Sequence, residues 1–64
     1  KPEFRILAFL NAHKNPDCPN KELVAFTRQE IANFTGLRVE TVIRELSRMS
    51  KMNKVEIINH KLYY

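Results

Sequence analysis

At 64 residues the chain has room for one domain, near the lower limit for folding without disulfides, metals or partners. Its 44% apolar content supports a single core and excludes a disordered tail, while the formal charge of +4 suits an anionic partner. The lone cysteine, Cys18, excludes an internal disulfide framework and fits a reducing cytoplasm, and no apolar run approaches the roughly 20 residues of a membrane span.

The first element is a helix from Pro2 to about Lys14. Proline stands at a plausible first helical position, with Glu3 in the first turn. Phe4, Leu7 and Leu10 recur at helical spacing, and Ile6 and Phe9 widen the apolar stripe, so this is a packing helix. His13 near its end favours the helix dipole. Asn15-Pro16-Asp17-Cys18-Pro19-Asn20 is a loop by composition. Leu23-Val24-Ala25-Phe26 is a short apolar run with the character of a strand.

Thr27 opens a second helix with a capping box, since its hydroxyl can accept from the Glu30 amide while the Glu30 side chain reaches back. Gly36 ends that helix by supplying a left-handed residue. Val39, Val42, Leu46 and Met49 mark the apolar stripe of a third helix running to about Met52. Glu40, Arg44, Ser47, Arg48 and Lys51 lie on its outward face. Beyond Asn53, Val55 to Ile58 reads as a strand, Asn59-His60 as a tight turn with Asn59 at positive φ, and Lys61 to Tyr64 as the returning strand. Leu23 to Phe26 would add a third member to this sheet, which matters because an isolated hairpin is marginal in water. Ile6, Phe9, Leu10, Phe26, Phe34 and Leu46 are expected in the core, with Tyr63 and Tyr64 packing at the strand end.

Two short helices joined by a glycine turn, with polar side chains massed on the second, make a helix-turn-helix. The expected fold is mainly α with a small antiparallel β-sheet: a winged helix-turn-helix of three helices plus a β-hairpin wing, occupying residues 1–64. Between Thr27 and Lys54 six Lys or Arg stand against three Glu, which places positive charge on the motif itself. Arginine donates bidentately to guanine O6 and N7, and glutamate accepts from cytosine N4, so Arg44 and Glu40, one turn apart, suit base edges in the major groove. The same spacing also permits a surface ion pair. Ile43 stands where it would touch a thymine methyl or pack in part beside the apolar stripe.

Phe26-Thr27-Arg28-Gln29-Glu30-Ile31-Ala32, Thr35-Gly36-Leu37 and Val39-Glu40-Thr41-Val42 with Arg44 resemble the DNA-binding domain of the Crp/Fnr transcriptional regulators. The Val-Glu-Thr start of the third helix is closer to the Fnr-like branch. The resemblance implies sequence-specific binding of double-stranded DNA by a bacterial, cytoplasmic regulator, with Glu40 and Arg44 reading bases in the TGA core of each half-site. It also implies that Thr27, Arg28 and Gln29 clamp the DNA backbone at a helix start whose amides already favour phosphate. Arg38 and Ile43 depart from the family pattern. A small hydroxyl residue usually stands at position 38, so arginine there forfeits a cap worth about 1 kcal/mol, a conflict that a bound phosphate would relieve. The Fnr branch usually has serine in place of Ile43. Thr41 and Ser47 are further expected phosphate ligands, as is Lys61 from the wing, whereas His60 has the ordinary surface role.

The chain opens Lys1-Pro2 without methionine and is read as a fragment of a longer protein, and the resemblance implies that the rest holds an N-terminal β-barrel sensor domain and a long dimerisation helix. The full protein would be a homodimer and the fragment a monomer. RNA polymerase is a possible partner of the 15–22 loop, and any effector would bind outside the fragment. No cofactor or metal is expected here, because His13, His60 and Cys18 match no nucleophile or metal-ligand spacing. No enzyme is expected either. The rival reading is a winged-helix protein-interaction module without sequence-specific DNA binding.

Overall fold

The computed structural model describes residues 1–14, 17 and 20–64. Three helices are followed by a hairpin: α1 (Pro2–His13), α2 (Arg28–Thr35), α3 (Val39–Lys51), β1 (Glu56–Ile58) and β2 (Lys61–Tyr63). This is a mainly helical winged helix-turn-helix, as the sequence predicts. The loop expected at residues 15–20, with Cys18, lies largely outside the described residues.

α1 buries Ile6, Phe9 and Leu10 against Ile31 and Ala32 of α2 and Val42, Leu46 and Met49 of α3; Val55 and Leu62 close the core from the hairpin side. At about 25 cal/mol per Å² of apolar surface removed from water, such side chains supply most of the drive to fold. Phe4 departs from expectation and is 67% exposed. It lies two residues before Ile6, about 200° around the helix, and so faces away from the core. Phe34 is also exposed rather than buried, yet its ring stacks on Phe9 at 5.4 Å and meets Phe26 edge-on at 6.0 Å. It roofs an aromatic cluster instead of filling the core. His13 joins that cluster, 4.4 Å from Phe9 and 4.9 Å from Phe26, and its Nδ1 lies 2.9 Å from the Phe9 carbonyl oxygen.

The two helices of the motif start and stop for local reasons. The Thr27 hydroxyl accepts from the Glu30 amide at 3.1 Å, and the Glu30 carboxylate accepts from the Thr27 amide at 2.8 Å, completing the capping box. Gly36 stops α2 at φ 74°, and the Leu37 amide closes back onto the Ala32 carbonyl at 3.1 Å. α3 ends in a Schellman motif that the sequence reading did not foresee. Asn53 takes φ 61°, with the Lys54 amide on the Met49 carbonyl at 2.9 Å and the Asn53 amide on the Ser50 carbonyl at 3.1 Å.

In the wing, Glu56 pairs with Tyr63, Ile57 with Leu62 and Ile58 with Lys61. Both turn residues have positive φ, Asn59 at 51° and His60 at 66°, as a two-residue type I′ hairpin requires. The segment from Glu22 to Val24 reaches the free edge of β2 without becoming a full strand. Glu22 and Tyr64 exchange amide–carbonyl bonds at 2.9 Å each, Val24 donates to Leu62 at 2.8 Å, and the ladder reduces to one bridge, Leu23 to Tyr63. The chain then turns into the Thr27 cap. This short pairing still covers the edge that a bare hairpin would leave open.

Candidate nucleic-acid interface

α3 is anchored by Val42, Leu46 and Met49, which point into the core and turn the opposite side outward. At 3.6 residues per turn, Glu40, Arg44, Ser47 and Lys51 fall within about 60° of one another on that side, and all four are exposed. Among the described residues no ion pair joins Glu40 to Arg44, so both side chains present their polar atoms to solvent. Ile43 lies on one flank of this face and is 52% exposed. The outward alternative therefore describes it better than burial does. Thr41 is half-buried on the other flank.

The first turn of α3 carries no side-chain cap. Arg38 occupies the N-cap with extended backbone, φ −78° and ψ 150°, and makes no capping hydrogen bond. Arg38 is exposed at the positive end of the helix dipole, where Glu40 is the acidic residue of the first turn. At the start of α2, Thr27 is committed to its cap, Arg28 is half-buried, and the exposed Gln29 side chain donates to Asn33 at 3.1 Å. Lys61 is exposed at the first position of β2, next to the wing turn. Arg28, Arg38, Arg44, Lys51 and Lys61 form no salt bridge among the described residues, and all belong to the motif or the wing.

A family model described as a Crp-like helix-turn-helix domain matches residues 4–63. The chain belongs to the Crp-like helix-turn-helix family. No curated protein and no solved structure matches it. Crp-like helix-turn-helix domains are the DNA-binding parts of transcription regulators and are typically not enzymes, so DNA binding in transcription regulation is the role of this domain. Among the described residues no group of three or more His, Cys, Asp or Glu is placed to hold a metal ion, and no helix is long and apolar enough to cross a membrane.

Sequence reasoning missed the surroundings of Arg48 and Glu45. Glu45 is 8% exposed on the α1 side of α3, and Arg48 Nη2 meets its carboxylate at 2.8 Å. The same Nη2 lies 3.8 Å from Glu3, whose other oxygen takes Lys54 Nζ at 2.5 Å. The hydrogen bond from Lys54 holds the Glu3 carboxyl below its usual 4.5, and the nearby charges of Lys54, Arg48 and Lys1 act the same way. The Glu45-to-Arg48 spacing of three is the one signal in the sequence that points to this pair.

Proposed function

We propose that the domain binds double-stranded DNA sequence-specifically, with α3 in the major groove. The observation that carries this reading is the exposed α3 face on which Glu40 and Arg44 stand side by side without engaging each other. Arg44 donates to guanine O6 and N7, Glu40 accepts from a cytosine amino group, and Ile43 lies against a thymine methyl. Thr27, Arg28 and Gln29 at the start of α2, Arg38 and Thr41 at the start of α3, Ser47 further along, and Lys61 on the wing contact the backbone and fix the register. Arg38 gains most from a phosphate, because an uncapped helix start and an unpaired guanidinium then share one anion.

In this reading the chain is the DNA-binding part of a cytoplasmic homodimeric regulator. Two copies of α3 would sit about 34–36 Å apart on a near-palindromic site. Fluorescence anisotropy of labelled duplexes tests the reading, one carrying TGA-core half-sites and one scrambled, across a salt series. The chain would be measured alone and fused to a parallel coiled coil. Salt-dependent binding with preference for the half-sites supports it. Equal binding to both duplexes reduces the domain to an electrostatic binder, and no binding even at low salt favours a protein-interaction module.

A further inference from the structure

We propose that Arg48 is a further DNA-backbone ligand, with its guanidinium oriented for phosphate by Glu45 and Glu3. The assignment rests on the DNA-binding reading above and adds a contact on the α1 side of α3.

Arg48 lies four residues after Arg44, only about 40° further around the helix, so it continues the readout face onto its flank. Its side chain is 61% exposed even though it touches two carboxylates. Both contacts use the same atom, Nη2, at 2.8 Å to Glu45 and 3.8 Å to Glu3. A guanidinium has five N–H donors in a rigid fork, and the Nε and Nη1 donors make no hydrogen bond among the described residues. One edge is thus anchored inward, and the other is presented outward.

Two carboxylates beside a phosphate site would repel the ligand unless their charge were balanced. Lys54 supplies that balance at 2.5 Å from Glu3, leaving two acids against two bases in the cluster. The cluster joins the start of α1, the recognition helix and the residue leading into the wing. Its orienting part uses the planar fork of arginine, because the donors of a lysine ammonium rotate about its stem and are not aimed outward by an inward anchor.

Salt-series anisotropy on the half-site and scrambled duplexes tests the assignment. Arg48→Gln is expected to lower the slope of log affinity against log salt by about 0.9 on both duplexes, with their affinity ratio unchanged. Lys14→Gln removes one charge at the far end of α1 and should leave the slope as in wild type. Arg48→Lys keeps the charge and tests the fork: it should weaken both duplexes by about two- to tenfold, the worth of one hydrogen bond, at unchanged thermal stability. An Arg48→Gln slope no lower than that of Lys14→Gln, or wild-type affinity in Arg48→Lys, would overturn the assignment. Wild-type binding with either result removes the Arg48 contact alone. A wild-type domain that binds neither duplex removes the DNA-binding reading along with it.

Discussion

Gly36 is the residue on which the geometry of the motif turns, and replacing it with alanine gives a magnitude that follows from the structure. An added Cβ would meet only the Arg5 guanidinium, at 4.0 Å, so no steric clash contributes. What remains is the backbone, since φ is 74° and an L-residue in that region costs roughly 1–2 kcal/mol. Alanine also restricts the unfolded chain, which offsets about 0.4–1 kcal/mol. The net loss is about 1 kcal/mol, or a fall of about 4–8 °C in Tm for a domain of this size. Gly36→Asn should lose less, because asparagine tolerates the left-handed region. Thermal and urea unfolding followed by circular dichroism reads both variants. Wild-type stability in Gly36→Ala would refute the left-handed turn. A loss well beyond about 3 kcal/mol would show a steric conflict that this geometry does not contain.

Thr27→Ala removes the hydroxyl half of the capping box and should cost about 1 kcal/mol, whereas Thr27→Ser should retain most of it; urea midpoints decide. Glu3 carries a pH dependence whose sign follows from its lowered pKa: its contribution is complete above the usual 4.5 and disappears as pH falls through the lower folded value. Melting temperatures taken from about pH 6 down to pH 3 should therefore decline, and Glu3→Gln should flatten that decline; parallel curves for the two proteins would contradict it. Leu46→Ala opens the centre of the core at a fully buried position and should cost about 2–5 kcal/mol, a large share of what a domain this small can hold. Loss of a cooperative unfolding transition is the expected readout, and a change under about 1 kcal/mol would argue against this core.

Local chemistry was legible in the residues; partnership across the fold was less so. Thr27 with Glu30, Gly36 and Asn59 each announce their structure because cap and turn geometry depend on a few adjacent residues. Helical periodicity located the α3 core face correctly. It misassigned Phe4, since a stripe of apolar residues does not say which edge the neighbouring helices will cover, and Phe34, expected in the core as a large apolar residue, is exposed as well. The run from Leu23 to Phe26 has strand composition, but the turn into the Thr27 cap leaves it only one bridge to β2. The contact of Arg48 with Glu45 and Glu3 was not legible, because it brings Glu3 of α1 to two residues of α3 and so depends on how the helices pack. At the candidate interface, the sequence named the exposed α3 side chains, while the absence of an ion pair between Glu40 and Arg44 could be seen only in three dimensions.

If α3 reads bases while the start of α2 holds the backbone, substitutions in the two helices must affect binding in different ways. Binding of wild type, Arg44→Ala and Arg28→Ala would be measured against the half-site duplex and a set of single-base-pair variants. Arg44→Ala should lose discrimination at one base pair, at a cost of about 1–3 kcal/mol, while Arg28→Ala should weaken every duplex nearly alike. If both variants weakened all duplexes equally, Arg44 would be a backbone contact and the readout assigned to α3 would be wrong.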